Sequence, residues 1–188
     1  MRSRPPAAVA LSLLTALLVF ATPTPAQETA TATWQQVATH DMEQVERKYV
    51  QLADAIPESA YAWRPSEGVR SVGEVFTHVA AANYMFGQIL GTPIPGDVTA
   101  KYPNGQAFNA VTNKAEIIAM LRASFAHAKS VVSALPAAKL DTRVPMFGRE
   151  APAKAALLAY MTHNHEHLGQ SIAYARSNKV TPPWSTGN

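Results

Sequence analysis

Residues 161–176 read MTHNHEHLGQSIAYAR and place three histidines within five positions. Imidazole is the commonest metal ligand among side chains and titrates near neutral pH, so such a cluster raises the question of a metal centre. His163 and His167 are four residues apart. On a helix they project from one face, one turn apart, which is the spacing at which two imidazoles can hold one ion. His165 is two residues from each and points about 160° away from them. The cluster therefore divides into a pair and a single. The HExxH arrangement of zinc proteases is excluded by the letters: His165 and Glu166 would need a histidine at position 169, which is Gly169. The chain has no cysteine. It offers no thiolate nucleophile, and nitrogen and oxygen must supply any metal ligands. Spacing alone leaves two readings open for His163 and His167, a metal pair or a solvated polar face.

Positioning these residues falls to four long stretches with helical periodicity, and no segment has the sustained alternation of a strand. The expected class is all-α. The first helix spans about 33–55, with Trp34, Val37, Val45, Tyr49, Leu52 and Ile56 on its apolar stripe. Asp41 falls on the same stripe, as a solvated carboxylate near the bundle end or as a partner that orients a metal ligand. IPESAYAWRPSEG, with two prolines and a glycine, reads as a tight connection. A second helix starts at Ser71, which with Glu74 forms a capping box, and continues to about Leu90. His78 lies on its side facing Val75, Ala82 and Met85. The third helix covers about 113–135 and carries His127 on its flank. The fourth covers 153–177, with Pro152 suiting its first turn and VTPPWS ending it. Between the second and third helices, residues 91–111 are rich in proline, glycine and asparagine. This connection is too long for a simple antiparallel turn and long enough to cross from one end of a bundle to the other.

Residues 1–26 are read as a signal peptide. Arg2 and Arg4 precede an apolar run at 7–21, and a small-residue exit allows cleavage after Ala26. The run falls short of the ~20 residues a membrane span needs, and no later stretch approaches that length. Residues 27–188 then form one exported domain, periplasmic or secreted, with no membrane attachment after cleavage. The formal charge of +3 comes from 16 basic and 13 acidic residues. Arg2 and Arg4 fall in the leader, which leaves fourteen against thirteen. No basic stripe supports nucleic-acid binding. A homodimer is left open.

Two segments carry a family resemblance. WRPSEGVRSVGEVFTHVAAANY holds the histidine of the second helix, and HNHEHLGQSIAYARSNKVTPPWS joins H-x-x-x-H to a G-Q-x-x-x-Y-x-R tail. With the helix order, they make the chain resemble the DinB/YfiT-like superfamily of metal-binding four-helix bundles, over essentially all of residues 27–188. The resemblance implies a four-helix bundle with a long crossover between helices 2 and 3. It also implies a three-histidine metal site at His78, His163 and His167, suited to zinc or nickel with positions left for water or a small-molecule substrate. Glu74 then either orients His78, or itself ligates the ion, or simply caps its helix. His165, Asn83, Tyr160 and Tyr174 are read as pocket lining or as packing. The superfamily includes thiol-dependent transferases and a thiol-dependent maleylpyruvate isomerase, so the implied chemistry is activation of a low-molecular-weight thiol. Export separates this chain from those cytosolic thiols. A metal-dependent hydrolase using water, and a non-catalytic metal- or ligand-binding bundle, are the alternatives. No residue stands out as a general base.

Overall fold

The computed structural model describes residues 32–185. The signal peptide expected at 1–26 lies outside the described residues. Four long helices form the frame: α1 (Trp34–Ala55), α2 (Val72–Ile89), α5 (Lys114–Ala134) and α6 (Ala153–Ser177). Their starts are set by local chemistry. Thr33 and Gln36 form a capping box at α1, as Ser71 and Glu74 do at α2. The Asn113 side chain accepts from the Glu116 amide at 2.9 Å to begin α5. Each cap satisfies backbone donors that the first turn would otherwise leave unpaired.

Helix α1 packs on α5 and α6, and α2 packs on the same two. Consecutive helices α1 and α2 thus occupy opposite corners. The direction of each helix follows from its contacts. Between α2 and α5, Gly73 lies against Ile117, Asn83 bonds Ser124, and Gly87 meets His127, so residue numbers climb together and the helices are parallel. Between α2 and α6 the numbers oppose: His78 meets His163 whereas Phe86 meets Tyr160. A parallel α2–α5 pair requires the chain to return along the whole length of α2, about 27 Å for 18 residues. The long crossover does this. It is not structureless, because two short helices interrupt it, α3 (Gly96–Lys101) and α4 (Gly105–Asn109), and α4 lies against α2.

The segment joining α5 to α6 adds a feature that periodicity does not reveal, a two-stranded hairpin of β1 (Arg143–Met146) and β2 (Arg149–Pro152) with Met146 opposite Arg149. Its turn residues, Phe147 and Gly148, both have positive φ, 51° and 77°. That is the sense of turn that matches strand twist, though it strains a side chain as bulky as Phe147.

The core divides into two main clusters along the bundle. Tyr49, Leu52, Phe76, Val79, Leu121 and Phe125 fill one end, and Met42, Phe86, Val132, Leu157 and Tyr160 the other. One helix-1 expectation needs correction: Val37 is 50% exposed, and Ala38 and Met42 occupy the core instead. The stripe turns with the true 3.6-residue period, which carries Val37 onto the outer side. Among the described residues, no helix is long and apolar enough to cross a membrane.

Candidate metal centre

His78 comes from the middle of α2, and His163 and His167 from successive turns of α6. Because these helices run antiparallel and pack directly, the histidine of one arrives opposite the pair of the other. His78 Nε2 and His163 Nε2 lie 3.1 Å apart. The ring centroids of His167 are 4.7 Å from His78 and 4.5 Å from His163. One ligand nitrogen from each imidazole lies within 4.8 Å of the others, and all three residues are half-buried. Nitrogens bound to one ion at about 2.0–2.1 Å stand roughly 3–3.5 Å from one another, so the donor set fits a divalent transition metal. The chemistry of the donors agrees. The two Nε2 atoms meeting at 3.1 Å can share at most one proton, so at least one lone pair there is turned on the other ring. This is an expensive arrangement unless something else engages the lone pairs.

Electrostatics keep the donors available. Burial is the main cause that pulls His78 down to about 4, with the positive charge of Arg70 and the other two imidazoles adding to it. His163 is also pulled down to about 4, chiefly by burial, then by His167 and Arg70, with Glu166 opposing. Both are neutral at pH 7, which is the form that binds a cation.

The ring of His167 is held from behind. Its Nδ1 is 2.7 Å from Gln170 Oε1, and Gln170 Nε2 donates to Tyr174 Oη at 3.0 Å. In this orientation of the amide, Nδ1 carries the proton and Nε2 keeps its lone pair. Tyr174 is in turn fixed edge-on by Trp63, with centroids 5.4 Å apart. Sequence reasoning missed Gln170 and Trp63 as positioning residues. The glutamine three residues beyond His167, one turn along the helix, was the available signal.

Other candidates separate cleanly. Glu74 is a cap: its carboxylate accepts from the Ser71 amide at 2.6 Å and pairs with Arg64 at 3.2 Å, and these contacts hold its pKa below the usual range. His165 is exposed and faces away from the triad, where its Nε2 lies 3.0 Å from the Asp41 carboxylate and joins α6 to α1. Asp41 therefore partners the single histidine and none of the three. Tyr160, Asn83 and Asn164 form a buried polar layer beside the site. Tyr160 donates to Asn83 Oδ1 at 3.1 Å, and Asn83 Nδ2 donates to Ser124 Oγ at 3.0 Å. His127, expected on a flank, is half-buried against Tyr84 and Gly87.

One opening reaches the triad at His78, and a second lies on the far side of Gln170, the partner of His167. Beyond His78, toward the C-terminal end of α2, a cavity of about 360 Å³ is lined by Ala81, Tyr84, Met85, Ile94, Tyr102 and Phe108 among others. Toward the N-terminal end, a polar cleft of about 550 Å³ is lined by Arg64, Arg70, Glu74, Asn109 and Gln170.

Residues 41–171 match the DinB superfamily. The chain belongs to that superfamily. Solved members share the fold at low identity. A DinB-like protein from Bacillus cereus is 19% identical with a TM-score of 0.64, covering 79% of this chain and 92% of its own. A DinB-like protein from Bacillus subtilis is also 19% identical, with a TM-score of 0.60 over 77% of this chain and 93% of its own. YfiT from Bacillus subtilis, described as a probable metal-dependent hydrolase with an unusual four-helix bundle topology, is 17% identical with a TM-score of 0.58, covering 81% and 93%. Among curated proteins, none matches the chain. The DinB-like bundle with its long crossover between the second and third long helices is thus established, and its three histidines form a group that could hold a metal ion.

Proposed function

We propose that His78, His163 and His167 bind one divalent transition-metal ion, zinc or nickel, and that this DinB protein is an exported metal-dependent hydrolase acting on a small molecule. The observation that carries the reading is the convergence of three half-buried imidazoles, two of them held neutral, at a point reached by an open cavity at His78. Three protein ligands are the number typical of catalytic zinc sites, which keep a further position open, whereas structural sites are closed by four. Such an ion supplies a Lewis acid that polarises a substrate carbonyl or phosphoryl oxygen and makes a nucleophile available at neutral pH. The chain's own contribution is positional. The α2–α6 packing presents the donors, Gln170 fixes the tautomer of His167, and the apolar neighbours of His78 limit water around it.

Water is favoured over a low-molecular-weight thiol as the nucleophile by two considerations. The leader-like segment at 1–26 directs the protein away from the compartment where such thiols are abundant, and YfiT is described in terms of hydrolysis. In hydrolysis the hydroxyl of water joins the electrophilic centre and its remaining proton leaves with the departing group, so no co-reactant is required.

Elemental analysis of the protein purified without a histidine tag tests the reading, alongside His78→Ala and His163→Ala/His167→Ala variants. About one equivalent of transition metal in the parent, lost in both variants, is expected. Metal retained by both variants, or absent from the parent after reconstitution, would sink the proposal. Activity that appears only with an added thiol would replace hydrolysis with thiol transfer.

A further inference from the structure

The two openings differ in chemical character, and the difference has a direction. Along α2, Glu74 lines the polar cleft, His78 sits at the triad, and Ala81 and Met85 line the apolar cavity. Along α6 the order runs from His163 and His167 at the triad to Gln170 in the cleft. The triad therefore lies between the two spaces. No charged side chain lines the apolar cavity, whose walls include the aromatic rings of Tyr84, Tyr102 and Phe108.

In the cleft, the charges do not cancel. Glu74 is committed to Arg64 and to the Ser71 amide. Arg70 is exposed and, among the described residues, makes no side-chain hydrogen bond or ion pair. An unpartnered guanidinium beside the Gln170 that buttresses His167 is a ready fork for a carboxylate.

We infer that the ligand of this site is a small amphipathic carboxylate, with its apolar end in the 360 Å³ cavity, its carboxylate on Arg70, and its reactive bond over the three histidines. This assignment rests on the metal site proposed above for the chemistry, though not for the binding preference. A molecule charged at both ends would leave one charge unpaired against the aromatic walls, and a neutral apolar one would leave Arg70 unused.

Binding of N-octanoylglycine and of its uncharged amide, followed by calorimetry with metal-free and zinc-loaded protein, tests the inference. The acid is expected to bind about three- to fivefold tighter than the amide to the metal-free protein, the discrimination that an ion pair with an exposed guanidinium supports. Arg70→Gln should abolish this preference and leave the amide's affinity unchanged. Ala81→Phe should weaken both probes about tenfold by filling the cavity, and Ile94→Trp fills the same space from the crossover should the first variant fail to fold. Equal affinities in the parent, no binding of either probe, or an acid preference that survives Arg70→Gln would each overturn the inference. Metal content measured on the same samples keeps the two readings apart. A protein without metal that still prefers the acid through Arg70 loses the hydrolase reading alone, and a metal-loaded protein without the preference loses the ligand assignment alone.

Discussion

Gln170 determines which nitrogen of His167 is free, and it does so without touching the other two imidazoles. Replacing it with alanine leaves Nδ1 without an acceptor and lets the ring rotate. Gln170→Ala is therefore expected to weaken metal binding about 10–100-fold, the usual cost of losing an outer partner of a ligating histidine. Competition with a chromophoric chelator reads this directly, and an affinity equal to the parent's would contradict the tautomer assignment. Legibility at this scale depended on distance along the chain. The His163/His167 spacing is local, so the helix period alone places both on one face. His78 lies 85 residues from His163, and no periodic argument links them; only the family-like motifs of the two segments did. Asp41 and His165 were visible as unusual residues, yet their pairing across 124 positions depends on the α1–α6 packing.

The parallel α2–α5 pair is unusually close at Gly87, where a Cβ would sit 2.8 Å from His127 Nε2 and 3.4 Å from Val131 Cγ2. Alanine favours a helix interior over glycine by roughly 0.5–1 kcal/mol, but the clash with a half-buried ring packed against Tyr84 opposes it. Gly87→Ala should lower the thermal midpoint, and adding His127→Ala should recover most of the loss. Additive effects of the two changes would show that the contact does not limit the approach. The four long helices were readable because each repeats its apolar face over at least 18 residues, and caps such as Ser71 with Glu74 mark where they begin. The shorter elements escape this logic. Helices α3 and α4 have six and five residues, too few for any period to declare itself, and the hairpin strands have four residues each, with Pro145 interrupting one of them. These pieces are defined by what they pack against: α4 delivers Phe108 to the α2 core, and the hairpin sets Phe147 against Phe86.

At the scale of the molecule, one buried polar layer joins all four helices beside the site: Tyr49 of α1 bonds the Asn164 carbonyl of α6, and Asn83 of α2 links Tyr160 and Asn164 of α6 to Ser124 of α5. Asn83→Ala would leave Tyr160 and Ser124 short of partners and is expected to cost about 2–4 kcal/mol in a denaturant titration; a change under about 1 kcal/mol would show that the layer is not cooperative. The triad imposes a second, pH-dependent term on the same stability. In the fold, His78 and His163 take up protons only near pH 4, whereas in the unfolded chain they do so at about 6.5. Above about 6.5 both states are neutral there and these groups add no slope. As pH falls from about 6.5 to 4 the unfolded chain binds more protons, so the metal-free protein must lose stability through that window and no further below it. An ion bound only to the folded state acts in the opposite sense. At a hundred times its Kd it adds about 2.7 kcal/mol, roughly 5–10 °C in Tm for a domain of this size. Thermal melts of metal-free and zinc-loaded protein at pH 7.5 and pH 5 separate the two terms. The metal-free midpoint should fall between these pH values, and the zinc increment should be largest at pH 7.5, where protons do not compete for the imidazoles. A metal-free midpoint unchanged across the window would mean that the imidazoles are not shielded as their burial implies, and an unchanged midpoint with zinc would remove the thermodynamic basis of the proposed metal site.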